Sequence, residues 1–396
     1  DVRKLLENKD IDAVVVTTPN HWHALVTIWA CQAGKDVFVQ KPASHNIYEG
    51  RKMIEAARKY GRVVHSPTMS RSPNGIFESM EYVRQGNLGK LRYVHGVNYK
   101  PRTSIGKVAG PQSIPASLDY DLWCGPAPVL PVLREYLHYD WHWIWPYGNG
   151  DLGNMGIHAL DGCRMAVGQD TLPRRVMSLG GRFGYDDDGQ TPNSQLMLLD
   201  YEPAPIIFEV RGLPKDKSYL ADAWDGNPTA TMDSLRGIRV GMVVHCEGGY
   251  VVNHQAFDRE GKLIRSFEPS VPNPEAGFLE AVRNRQTVGS VCDVSQGHLS
   301  AALVHLCNAS YRLGKKAGDG EIRERIDGRQ DFAAVYERFQ EHLSANGIDL
   351  ADAPAVMGPM LTLGPVSEQF TGEFAKEGNE LITRHYRVPF VVPEKV

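Results

Sequence analysis

The chain has 396 residues, 42% of them hydrophobic, which is enough for more than one globular core. Its 43 basic and 47 acidic side chains leave a net charge of −4 with the signs interspersed, so there is no basic stripe of the kind nucleic-acid binding requires. No apolar run reaches the roughly 18 residues that suggest a membrane span, and the six cysteines (Cys31, Cys124, Cys163, Cys246, Cys292 and Cys307) show no CxxC spacing and read as free thiols.

Asp1 is not an initiating methionine, and Val2 to Leu6 reads as the tail of a helix already under way, so further sequence is expected upstream. Ile11 to Thr18 is a β-branched run that reads as a strand covered on both faces. Pro19 breaks it, and a helix from His21 to Ala33, with Asn20 as its cap, stops at Gly34 before a strand from Asp36 to Gln40. Asn46 and Glu49 form a capping-box pattern for a helix to Tyr60, Gly61 ends it, and Val63-Val64-His65 resumes the sheet. Such βαβα alternation predicts a parallel sheet in a doubly wound domain.

Beyond residue 90 the pattern changes, and a second domain is expected to begin there. Leu91 to Tyr99, Gln195 to Tyr201, Pro205 to Arg211, Ile238 to Cys246 and Tyr250 to Gln255 read as strands of an antiparallel sheet. Helices are expected at Pro73 to Gln85, Leu152 to Val167, Pro274 to Arg285, Gly297 to Leu313 and Gln330 to Ala345, with Ala351 to Val396 as an irregular tail.

Two stretches carry the chemistry. Lys41, followed by Pro42, stands at the end of a strand, where open α/β sheets place their ligands. His158 lies near the start of a glycine-opened helix, with Asn154 four residues before it and Asp161 three after, so all three are expected on one helix face. Oxidising a secondary alcohol needs a base for the hydroxyl proton as hydride leaves carbon. A desolvated lysine supplies one, and histidine has the intrinsic pKa of a neutral-pH shuttle.

Thr18-Pro19-Asn20-His21-Trp22-His23, Gln40-Lys41-Pro42 and the His158/Asp161 helix, in this order, resemble the Gfo/Idh/MocA oxidoreductases. Thr68 to Ser72, Lys100 to Gly106 and Gly297 to Ser300 extend the resemblance over nearly the whole chain. It implies a Rossmann domain holding NAD or NADP, of which residues 1–89 are the C-terminal part. Residues 90–396 would be an α+β domain whose large, mostly antiparallel open sheet walls a carbohydrate site and forms homo-oligomers.

The same resemblance assigns cofactor contacts to Thr18, Pro19, Asn20, His23, Gln40 and Lys41. Many relatives carry glutamate at Gln40 and aspartate at Asn154. The GxGxxG turn for the pyrophosphate is absent from these residues, so residues 1–396 alone are expected to bind dinucleotide poorly and to expose apolar sheet surface. Both a cytoplasmic location and export by an upstream leader stay open.

For the substrate, Arg71, Lys100 and Arg102 are candidate hydrogen-bond donors alongside Asn154, His158 and Asp161. If Trp141-His142-Trp143-Ile144-Trp145 is extended, Trp141, Trp143 and Trp145 share a face, with Trp143 a stacking platform for a sugar or a core residue. A metal at His21, His23, His138, Asp140, His142, His158 and Asp161 is not expected, because an extended segment would keep His138 and His142 apart. The expected activity is hydride transfer between a sugar, polyol or glycoside carbon and nicotinamide, with Lys41 and His158 handling the proton. Transient oxidation ending in glycoside cleavage, or sensing without turnover, are the alternatives.

Overall fold

A computed structural model describes residues 1–220 and 231–396. Helix α1 (Val2–Glu7) precedes strand β1 (Ala13–Val16), α2 (Asn20–Gln32), β2 (Asp36–Val39), α3 (Ile47–Lys59) and β3 (Val64–His65). The three strands pair in parallel in sequence order, Val14 opposite Val37 and Val37 opposite Val64. Gly34, at φ +78°, follows α2 in the left-handed conformation that ends the helix.

The capping signal at α3 is present in altered form. Asn46 accepts the Glu49 N–H at 2.9 Å, but the Glu49 carboxylate returns to the N–H of His45 and not to that of the cap residue. At α2 the expected cap fails: Pro19 holds the cap position without a side-chain bond, and the Asn20 amide donates to Asn149 Oδ1 at 3.1 Å instead. Strand β1 is also shorter than Ile11 to Thr18, and it is not covered on both faces. It lies at the end of the strand order, and Val15 is 66% exposed.

Helix α4 (Ile76–Arg84) leads into β4 (Leu91–Tyr99), the first strand of a twelve-stranded sheet. The rest of this sheet comprises β5 (Arg175–Gly181), β6 (Ser194–Asp200), β7 (Ile206–Arg211), β8 (Val240–Cys246), β9 (Gly249–Val252), β10 (Gln255–Asp258), β11 (Leu263–Ser266), β12 (Lys315–Ala317), β13 (Ala355–Met357), β14 (Leu361–Leu363) and β15 (Phe370–Thr371). The main path runs β11-β10-β9-β8-β4-β7-β6-β5-β13-β12, and among the described residues of this sheet only β4 and β7 pair in parallel. The run expected as one strand from Tyr250 to Gln255 is two, because Asn253 turns the chain with φ +48°.

Three further expectations are corrected. Asp140–Trp143 is a single 3-10 turn and not part of a strand, held by Trp141 Nε1 donating to the His138 carbonyl at 3.0 Å. The helix expected from Leu152 opens with a π-turn (Leu152–Gly156) before α-helix Ile157–Val167. The tail is ordered: it supplies β13, β14, β15 and helix Ala375–Leu381, and it is pinned by Glu368 on His298 at 3.0 Å and by Arg387 on Asp121 at 2.6 Å.

Helix Ile157–Val167 packs on β4 and β8, while the long helix Val294–Arg312 packs on α3, β5 and the same helix. Gly96 in β4 permits that approach, since a Cβ there would sit 2.4 Å from the Phe208 ring and 2.6 Å from Cys163 Sγ. Gly96→Ala is therefore expected to destabilise by about 1–3 kcal/mol through overpacking, measurable as a lower urea midpoint at unchanged slope.

Candidate active site

Lys41 comes directly after β2, at the C-terminal end of a parallel strand. Its ammonium donates to the Asn154 backbone carbonyl, with Asn154 Oδ1 at 3.4 Å. Burial lowers its pKa to about 8, Asp151 opposes the shift, and Arg102 and Lys100 add to it. The turns after β1 and β2 are tied together by His23, which is 1% exposed. Its ring nitrogens meet the Pro42 carbonyl at 2.7 Å and the Thr18 carbonyl at 2.8 Å. His23 is thus closed in as a brace, while the Thr18 side chain beside it is exposed. Gln40 is half-buried, and its backbone N–H donates to the Val16 carbonyl at 2.9 Å.

His158 is fixed in one tautomer. The Met69 backbone N–H donates to its Nδ1 at 3.0 Å, so Nδ1 carries no hydrogen and Nε2 does. Burial, and then the positive charge of Lys41, lower its pKa to about 3. With Nδ1 accepting from Met69, the ring presents Nε2–H as a hydrogen-bond donor. The π-turn also breaks the α-helical spacing that would have aligned Asn154 with His158 and Asp161, and it is the Asn154 backbone carbonyl that meets Lys41.

Arg71 and Asp161 are taken up by each other inside the protein. Asp161 is fully buried, accepting from Arg71 Nε at 2.8 Å, Arg71 Nη2 at 2.9 Å and Ser300 Oγ at 2.6 Å, and also from Thr68 and Arg164. Burial alone would raise its pKa, but Arg71 and Arg164 outweigh that and hold the carboxyl well below the usual carboxylate range. Their polar atoms satisfy one another, so this pair braces the helix that carries His158.

Arg102 bonds Asp151 through Nε at 2.8 Å and lies 5.1 Å over the ring of Trp143, which is itself only 5% exposed. Trp143 is a core ring roofed by a guanidinium. Lys100 is half-buried and forms no ion pair among the described residues.

Two further residues belong to the site, Asp151, which sequence patterns do not single out, and His142, which they offer only as a metal ligand. Asp151, 1% exposed, is held by Arg102 and by Asn98 Nδ2 at 2.8 Å, and it is the carboxylate that acts on Lys41. An acid set between glycines at a helix start is the signal that points to it. His142 stacks on Trp141 at 3.7 Å and donates from Nδ1 to the Tyr139 carbonyl at 2.6 Å, leaving its Nε2 lone pair as an acceptor. Burial lowers its pKa to about 4, and Lys41 and Arg102 act in the same direction. Among the described residues no group of three His, Cys, Asp or Glu side chains is placed to hold a metal.

Residues 1–67 match the family model described as an oxidoreductase family, NAD-binding Rossmann fold, and residues 89–220 match that family's C-terminal alpha/beta domain. An inositol 2-dehydrogenase of Salmonella typhimurium is 31% identical over 123 residues, covering 31% of this chain and 36% of that protein. The levoglucosan dehydrogenase of Pseudarthrobacter phenanthrenivorans is 26% identical over 179 residues, covering 45% and 38%. The chain thus spans little more than a third of the length of these curated relatives. The WlbA dehydrogenase of Bordetella pertussis, solved with NADH and UDP-GlcNAcA, superposes with a TM-score of 0.54 at 17% identity over 79% of this chain and 80% of that one, a likeness of fold. The two family models together take in half of the sequence, and the chain belongs to the Gfo/Idh/MocA oxidoreductases.

Proposed function

We propose that this protein is an NAD(P)-dependent oxidoreductase acting on a sugar, polyol or glycoside, with Lys41 as the acid/base group and His158 as a fixed donor to the reacting oxygen. The carrying observation is the pairing at Lys41: a titratable amine held at a strand C-terminus by Asn154, beside a histidine whose Nδ1 accepts from the Met69 N–H. The names of the inositol and levoglucosan dehydrogenases support the substrate class.

The chain's own residues fit the nicotinamide end of such a cofactor. The exposed Thr18 turn and the Gln40-Lys41 turn end adjacent parallel strands, where dinucleotides bind in open α/β sheets. Thr18, Pro19 and Gln40 would hold the cofactor, which when bound supplies the hydride acceptor. In the oxidative direction the neutral Lys41 amine takes the substrate hydroxyl proton, and the His158 Nε2–H stabilises the oxygen as charge develops. Asp151 and Arg102 set the charge around Lys41, while Lys100 is left to meet substrate. Division of labour between residues 1–89 and 90–396 belongs to the same reading, as does homo-oligomerisation, which light scattering should report as a mass above one chain.

The test is turnover with NAD or NADP and a panel of sugars and glycosides, with products identified by mass spectrometry. Stoichiometric reduced cofactor and a keto-sugar are expected, whereas released aglycone without net reduction would replace dehydrogenation by glycoside cleavage. The rate of oxidation should rise with pH through a single inflection near 8, because the base form of Lys41 is required, with none near 6.5. His158→Phe should lower the rate about 10²-fold at every pH and keep that inflection. An inflection that vanishes with His158 would return the proton to the histidine.

A further inference from the structure

A second cavity lies apart from the Lys41 site, between the Trp145 segment, the C-terminal end of helix Val294–Arg312 and the tail at residues 380–385. Its volume is about 380 Å³, and neither Lys41 nor His158 lines it. Three features give it a chemical character. Arg312 is exposed, forms no ion pair among the described residues, and lies 5.3 Å over the ring of the half-buried Trp145. Arg384, by contrast, is committed to the Pro146 carbonyl at 3.2 Å, to His45 and to Glu49 at 3.6 Å, so its donors are taken up and its charge is offset.

The third feature is His305. It is 6% exposed, and its Nε2 is buried without a partner. A buried imidazole nitrogen without a partner costs free energy unless a ligand or water completes it. An imidazole nitrogen pairs with a hydroxyl as donor or as acceptor. The lone carboxylate among the lining residues, Glu380, is exposed, and Glu49 lies against Arg384, so Arg312 is the arginine left without a carboxylate partner among the described residues.

We propose that this cavity is a binding site for an acidic sugar, carboxylated or phosphorylated. Arg312 takes the oxyanion beside Trp145, and a small turn of the His305 ring brings its unpartnered nitrogen to a ring hydroxyl. The site is joined to the Lys41 region through Asn149, a lining residue whose Oδ1 accepts from Asn20 and whose Nδ2 donates to the His45 carbonyl at 3.1 Å.

Calorimetric titration of the full chain without dinucleotide, using D-glucuronate, a phosphorylated glucose and neutral D-glucose, tests this. Saturable binding of at least one anion and not of glucose is expected, and whichever anion binds more tightly identifies the acidic group. Arg312→Gln, at an exposed position, should weaken it by about tenfold or more, and His305→Phe should weaken it as well. Lys41→Ala should leave it unchanged. Equal binding of glucose, no binding of either anion, or loss in Lys41→Ala with retention in Arg312→Gln would overturn the proposal, the last by placing the anion at the Lys41 site. None of these results bears on whether Lys41 supports hydride chemistry.

Discussion

Lys41→Ala is expected to reduce turnover by about 10²-fold or more while the protein stays folded, because the group that exchanges the substrate proton is gone. Lys41→Arg should be no better, since a guanidinium cannot shed a proton near neutral pH. The stability profile supplies an independent check. The folded pKa is near 8 against an ordinary value of 10.5, so between those values the unfolded chain binds more protons and stability should rise with pH. Below about pH 8 the charged lysine is a burden on the fold, and Lys41→Met should unfold at a denaturant concentration no lower than the parent's. If Lys41→Ala retained near-normal turnover, the acid/base assignment would be wrong. If it lost activity and also unfolded, Lys41→Met would separate the two effects.

Removing Asp161 should give the largest loss of stability at a single side chain. Asp161→Ala strands two buried cations, Arg71 at 5% and Arg164 at 2% side-chain exposure, and breaking such a pair costs about 3–5 kcal/mol. Urea unfolding measures this directly, and a loss below about 1 kcal/mol would show that water satisfies the arginines. The pH dependence has a definite sign. The folded carboxyl is held below its ordinary range, so its contribution is complete above the unfolded pKa and is lost only as acid approaches the lower folded value. No loss from this group is expected between pH 5 and 8. The same substitution should depress activity, because Arg71 anchors the turn whose Met69 N–H holds His158.

The legible parts of the fold are those with local periodicity. Leu91–Tyr99 and Gln330–Ala345 match their sequence patterns to the residue, since one is a β-branched and aromatic run bounded by Gly89 and Pro101 and the other repeats its apolar positions over sixteen residues. The helix expected from Gly297 begins three residues earlier at Val294, because Gly297-His298 looks like an opening while the true cap is Asp293. The tail looks irregular in sequence because its strands are two or three residues long and gain their order by docking on distant elements. In the site, residue types are legible and states are not. The neutral tautomer of His158 depends on an N–H 89 residues away, and the withdrawal of Arg71 and Asp161 depends on their meeting across 90. The aromatic run misleads because alternation alone does not exclude a 3-10 turn.

The π-turn at Leu152–Gly156 makes chain length a determinant of the site. Such a turn is an α-helix carrying one surplus residue, which its wider winding absorbs, so the helix before it and the helix after it stay in phase. Asp151 precedes the turn, the Asn154 carbonyl lies within it, and His158 and Asp161 follow it. Removing the surplus residue would leave the flanks in phase but close the wide turn that presents the Asn154 carbonyl to Lys41, whereas adding a further residue would rotate one flank by about 100° against the other.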